Sequence, residues 1–277
     1  MLASSPRLLR QELEEILRTM DTGITARSIS SPLSETVQIT AQVSLALKYM
    51  KDRKFDRIVV LDGQNTVGYV NIEDLEEVKG DRGALVRKCV STFGPDLLIS
   101  EETPLPVVLH RLRKQSSLFI VGRDGLSGIV TQADLEKQFM RVYAFSLVSL
   151  MEQEMGQLME TLSPSIVANA IVGEFERGKF EATFADKTSA DAELAPIYYV
   201  SLGVKIKLFV QQTPYWQLLG DSPSAARQRL SHIKELRDKL DHVKPLINPT
   251  DNLEILDATI EDLTDVIRKL EAATKQP

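Results

Sequence analysis

"LFIVGRDGLSGIVTQADLEK", residues 118–137, decides how this chain is read. A β-branched run comes first, then Asp124-Gly125, a second strand-like run, and a helix start at Thr131. The same order stands at 57–77 in "RIVVLDGQNTVGYVNIEDLEE", with Asp62-Gly63 at the turn. The matched parts begin at Gly68 and Gly128, sixty residues apart. A helical stretch precedes each copy, "AQVSLALKYMKDRKF" (41–55) and "PLPVVLHRLRKQ" (104–115). The chain therefore holds two β-α-β-β-α units; a period this long, present only twice, argues against a solenoid. Gly128 is read as letting the chain leave a tight turn.

Working outward, 277 residues suffice for about two domains. A hydrophobic content of 43% supplies a sizeable core. Thirty-three basic against 39 acidic residues give a net charge of −6, which argues against general nucleic-acid coating but not against a local basic site. Cys89 is the only cysteine, so no internal disulfide forms, in keeping with a reducing cytosol. No signal core opens the chain, and no apolar stretch approaches the roughly 20 residues that span a bilayer. The expectation is a soluble, cytoplasmic protein without membrane association. No His, Cys, Asp and Glu grouping has metal-ligand spacing, so no metal site is predicted. His110 stands isolated between Leu109 and Arg111.

The helix starts carry the first candidate chemistry. Thr131 sits where strand gives way to helix, where its hydroxyl and free backbone N–H groups suit a phosphate. Asp134, one turn on, suits the two hydroxyls of a ribose. In the first copy Asp74 matches Asp134, while Asn71 stands in place of the hydroxyl residue. Helix capping alone also accounts for a Thr and an Asp at this spacing.

The pair, over roughly 25–138, resembles a tandem of CBS motifs, the Bateman module. "GIVTQADL" (128–135) is close to the family's commonest wording, and "GYVNIEDL" (68–75) is the looser copy. The resemblance implies an adenosine compound as regulatory ligand, AMP, ADP, ATP or S-adenosylmethionine. Thr131 would take the phosphate and Asp134 the ribose, with Asn71 and Asp74 as the matching positions of a first site. It also implies a homodimer.

Beyond about residue 138 the pattern turns helical. Leu147, Met151, Met155, Leu158 and Leu162 form one stripe, and four of the seven methionines fall at 140, 151, 155 and 159. Methionine stripes of this kind read as adaptable core. Ser163-Pro164 opens a helix running to about Glu176, and the polar stretch 177–194 reads as a loop. Helices then follow around Pro196, and Trp216 sits in a turn. A helix over "SAARQRLSHIKELRDKLDHVKPL" must stop before Pro245. The last helix repeats Leu253, Leu256, Ile260, Leu263, Ile267 and Leu270 at spacings of 3 and 4, a bundle seam. Asp251 and Glu254 have capping-box spacing. Near the N-terminus, Leu9, Leu13, Ile16 and Met20 mark a helix over 6–20.

"RDKLDH", residues 237–242, ends the penultimate helix. Cations are favoured there by the helix dipole, which alone could explain Arg237 and His242. In its helical setting the segment also resembles the Arg, four to six residues, His mark of HEPN domains. Asp238 follows the Arg as a polar residue often does in that family. That resemblance implies metal-independent RNA cleavage, with His242 moving a proton and Arg237 gripping the phosphate, in a cleft completed by dimerisation. Asp241, where the family often has Ala, makes such a cleft less hospitable to phosphate.

The expected architecture is α+β: an N-terminal helix (1–24), a tandem CBS module (25–138, about 25–80 and 81–138) and an all-α, HEPN-like bundle (139–277). The expected function is regulatory. The CBS pair senses an adenosine nucleotide and controls the helical half, which acts either as a ribonuclease on RNA or as a non-catalytic dimerisation and partner-binding scaffold.

Overall fold

The computed structural model describes residues 23–81, 83–189, 194–212, 214–247 and 253–274, with Glu15 and Thr19. Apart from Glu15 and Thr19, the helix predicted over 6–20 lies outside the described residues, as does Asp251 of the predicted capping box. Among the described residues the chain divides into one unit over 21–137 and another from 138 onward.

In the first unit the described elements are α1 (Ala26–Ile29), β1 (Ser31–Pro32), β2 (Thr36–Gln38), α2 (Val43–Arg53), β3 (Arg57–Asp62), β4 (Asn65–Asn71) and α3 (Ile72–Val78). They continue with β5 (Leu98–Ser100), α4 (Leu105–Leu112), β6 (Ser117–Gly122) and β7 (Gly125–Thr131), which runs into a 3₁₀ turn, Gln132–Glu136. One sheet has the order β2-β3-β4 and the other β1-β7-β6-β5. In each, a parallel strand joins an antiparallel hairpin: β2 lies parallel to β3, and β5 to β6. Both hairpins carry a register shift at the same place, Val60/Leu61 and Ile120/Val121, sixty residues apart. Gly63 and Gly125, at φ of 61° and 109°, make the two Asp-Gly turns.

The repeats are interlocked. Strand β1, from the beginning of the unit, pairs with β7 of the second repeat, Ser31 against Ile129. Ser91, which follows the first repeat, bridges Tyr69 of β4 in the equivalent place. These crossings explain the two glycines. Gly128 is not at a turn; it lies inside β7, where an added Cβ would come within 3.0 Å of the Ser31 carbonyl oxygen. At Gly68 the same atom would collide with the Ser91 carbonyl oxygen. Close backbone approach, rather than chain reversal, requires glycine here.

Alternation along the central strands sorts the core. Ile58 and Val60 pack with Val43, Leu47 and Met50 of α2. Val59, Tyr69 and Phe119 face the other way and meet in a second cluster. There Phe93 and Phe119 meet edge to face, with ring centroids 4.9 Å apart.

The second unit is helical: α5 (Gln138–Leu158), α6 (Pro164–Ala170), α7 (Glu174–Ser189), α8 (Leu202–Gln211), α9 (Pro223–Asp241) and α10 (Leu253–Thr274). Short 3₁₀ turns occur at Pro196–Tyr199 and Tyr215–Leu218, the latter holding Trp216. Helix α10 packs chiefly on α5. Its six-residue apolar seam is buried throughout, as are the four methionines of the α5 region. Each fully buried Leu, Ile or Met side chain contributes about 1.5–3 kcal/mol. Glu152 meets Lys205 of α8 at 2.7 Å on the edge of this core.

Another expectation is overturned. The stretch 177–194 is not a loop over its first part: α6 stops at Ala170, Gly173 takes φ of 92°, and α7 runs Glu174–Ser189. Phe180 and Phe184, one turn apart, stack at 5.9 Å, and Phe184 meets Tyr199 edge on at 5.8 Å. Glu174 and Glu176 suit the first turn of that helix. A high polar content concealed a narrow aromatic stripe.

Candidate functional site

A cavity of about 480 Å³ opens in the first unit. Thr131 and Asp134 lie on one side, Phe55 to Val59 of the first repeat on the other, and Phe119 and Ile129 supply apolar wall. The pairing of β6 with β7 sets Ser117 directly opposite Thr131, so both side chains leave the sheet on the same face. Ser117 also lines the cavity.

Asp134 is buried and heavily engaged. Its Oδ2 accepts from the Thr131 backbone N–H at 2.7 Å and from Thr131 Oγ1 at 2.9 Å. Its Oδ1 accepts from Ser31 Oγ at 3.0 Å and pairs with Lys137 Nζ at 2.8 Å. With the Thr131 hydroxyl accepting from the Asp134 backbone, the pair forms a reciprocal capping box. Lys137 ties in further by donating to the carbonyl oxygens of Ile29 at 2.6 Å and Ser30 at 3.2 Å. Gln138, the next residue, begins α5.

The matching positions of the first repeat form a different arrangement. Asn71 Nδ2 donates to Asp74 Oδ2 at 2.7 Å, and Asn71 Oδ1 accepts from Arg57 Nε at 2.9 Å. Arg57 NH1 crosses to the second repeat and donates to Ser117 Oγ at 3.3 Å and to the Ser117 carbonyl at 3.4 Å. Asn71 and Asp74 are thus tied to each other and to Arg57, and the cavity holding Thr131 and Asp134 is lined by Arg57 but not by them. Arg57, Ser117, Ser31 and Lys137 were not singled out from sequence. The one available signal was register: Arg57 stands opposite Asn71 as Ser117 stands opposite Thr131.

The other predicted group lies at the end of α9. Arg237 NH1 pairs with Asp241 Oδ2 at 2.7 Å and approaches Asp238 Oδ1 at 3.6 Å. Lys234, bonded to Asp238 at 2.8 Å, and then Arg237 hold the Asp238 carboxyl below the usual aspartate range. His242 is the exposed C-cap. His242 comes five positions after Arg237, which turns them about 140° apart around a regular helix. Beyond His242 the chain closes the helix with two reversed hydrogen bonds, Lys244 N–H to Lys239 at 2.9 Å and Val243 N–H to Leu240 at 3.3 Å. Val243 takes the left-handed position, φ 51°, usually left to glycine.

Comparison with known proteins agrees with the interlocked repeats: the CBS domain model matches residues 26–79 and 91–141. The chain therefore carries two CBS domains in tandem, and its fold is a CBS pair joined to a helical unit. No curated protein matches the sequence. Among solved structures it is similar to CBSX2 in complex with AMP, at 22% identity over 43% of this chain and 98% of that one, with a TM-score of 0.37. The CBS domain of a bacterial CNNM/CorC family Mg2+ transporter in complex with ATP shows 18% identity over 48% and 97%, with a TM-score of 0.37. A hemolysin-like protein containing a CBS domain, from Oenococcus oeni PSU, shows 15% identity over 46% and 97%, with a TM-score of 0.36. Among the described residues, no helix is long and apolar enough to cross a membrane.

Proposed function

We propose that the CBS pair is a sensor for an adenosine nucleotide and that its occupancy governs the helical unit. The observation that carries this is a single cavity joining Thr131 and Asp134 to an apolar wall from both repeats. Its volume, about 480 Å³, lies within the range of small-molecule sites. The base would rest against Phe119 and Ile129, and the ribose hydroxyls would turn to Asp134. To accept them Asp134 gives up part of its present bonding to Ser31 and Lys137, and Lys137 directly precedes α5. Ligand and helical unit are thereby linked through one carboxylate, and the ligand acts by favouring one state of that link. Calorimetry with adenosine, AMP, ADP, ATP and S-adenosylmethionine tests the reading; no heat from any of them at millimolar concentration overturns it.

For the helical unit we favour the scaffold reading over the HEPN-like ribonuclease. The Arg237–Asp241 pair at 2.7 Å supports it, because a guanidinium already neutralised within its own helix is poorly placed to grip an RNA phosphate. A homodimer belongs to the same proposal. Light scattering that finds only the 30.9 kDa chain at micromolar concentration counts against it.

A further inference from the structure

We infer that Arg57, a residue of the first repeat, holds the phosphate of a ligand seated at Thr131 and Asp134 in the second; the inference rests on the nucleotide reading above. The argument begins with donors. A phosphate needs them, and Thr131 has one hydroxyl proton, which it gives to Asp134 at 2.9 Å. The 3₁₀ turn that follows is too short to offer a helix dipole. Positive charge must come from across the cavity.

Three cations line that side: Arg53, Lys54 and Arg57. Arg53 meets Glu35 at 3.4 Å and lies over the Tyr49 ring. Lys54 is an exposed residue at the end of α2. Arg57 differs from both. It is half-buried, lies 5.7 Å from the centre of the Tyr69 ring, and meets no carboxylate among the described residues: its hydrogen bonds all go to neutral oxygens, Asn71 Oδ1, Ser117 Oγ and the Ser117 carbonyl. The nearest carboxylate in that chain of bonds, Asp74, is one residue further away, behind Asn71. A partly desolvated guanidinium satisfied only by neutral acceptors keeps a full charge to offer an anion.

Geometry sets where that charge is. Arg57 NH1 lies 3.3 Å from Ser117 Oγ, and Ser117 faces Thr131 across the hairpin on the same side of the sheet. The guanidinium tip is therefore beside the wall that carries Thr131. Carboxylates also line the cavity: Glu35 is taken by Arg53, Asp134 by Lys137, and Asp56 is exposed. Asn71, which receives no ligand role in this scheme, acts as a positioning residue that aims Arg57 away from the first repeat.

The test compares adenosine with AMP by calorimetry on the full chain and on Arg57→Gln, with thermal melting as a check on folding. Wild type should bind AMP more tightly than adenosine. Arg57→Gln should weaken AMP by about 10- to 100-fold, the effect of losing a charge-assisted hydrogen bond, with the loss confined to the phosphorylated ligand. Equal weakening of both ligands, or a wild type that does not distinguish them, overturns the inference while leaving nucleotide binding in place. Absence of binding by both ligands to wild type overturns the underlying reading instead. Should Arg57→Gln fail to fold, Arg57→Lys replaces it: the charge remains, so a preference for AMP must survive, and its loss overturns the inference.

Discussion

Arg57 and Ser117 hold equivalent places in the two repeats, sixty residues apart, and they touch: Arg57 NH1 lies 3.3 Å from Ser117 Oγ. Each opens the first strand of its hairpin, opposite Asn71 and Thr131 respectively. The larger residue reaches across, so the polar group of the first repeat extends to the second.

Asp134→Asn separates ribose recognition from phosphate recognition. The amide keeps the shape of the side chain but loses the carboxylate proposed to accept the hydroxyls. Affinity for adenosine and for AMP should fall together, by about 1.5–3 kcal/mol, in calorimetric titrations. A fall limited to AMP would move Asp134 out of the ribose position.

Gly68→Ala should destabilise the first unit by about 1–3 kcal/mol, because the new methyl group meets the Ser91 backbone carbonyl as well as the Val90 side chain. Urea unfolding followed by circular dichroism measures it. A neutral result would mean that the Tyr69–Ser91 crossing is not maintained in solution.

Val243→Gly should stabilise the helical unit by about 0.5–1 kcal/mol. The left-handed position after His242 disfavours a β-branched side chain, and Val243 is 76% exposed, so little packing is lost. Differential scanning calorimetry should show a raised melting temperature.

Acid should weaken α9 against α10 through Asp265. Lys269, and then Arg229, lower its carboxyl from the ordinary aspartate value of about 4. A depressed folded value means the unfolded chain takes up the proton first. The stabilisation is therefore complete above about pH 4 and disappears as pH falls through the folded value. Asp265→Asn should melt below wild type at pH 7, and the gap should close on acidification.

Pure protein incubated with RNA should give the same background as His242→Ala, since Arg237 is held by Asp241. Cleavage that resists EDTA, leaves 2′,3′-cyclic phosphate ends and depends on both Arg237 and His242 would instead establish the ribonuclease.

The repeat was legible because Asp62-Gly63 and Asp124-Gly125 mark turns by local chemistry, and the last helix because α10 writes its seam at regular spacing. Thr131 and Asp134 were legible for the same reason, lying three residues apart in one short segment. The far wall of the cavity was not. Phe55 and Arg57 reach it only through the packing of one sheet against the other, and Ser31 only because β1 crosses to the second repeat. No window of sequence contains those neighbours. The glycines were visible, but their reason was not, since it lies in Ser31 and Ser91, residues remote in the chain. Helix α7 was missed because Phe180 and Phe184 are two apolar residues among many charged ones.

The Arg57 bridge also sets the arithmetic of response. With the first repeat's polar residues committed to one another, the proposed sensor would count ligand as one per chain, not two, despite its two copies of the motif. Occupancy of each chain then follows a simple hyperbola, spread over about two decades of concentration. A sharper response would require coupling between chains, so stoichiometry and steepness, measured together, reveal whether the duplication is a pair of detectors or one detector built in two halves.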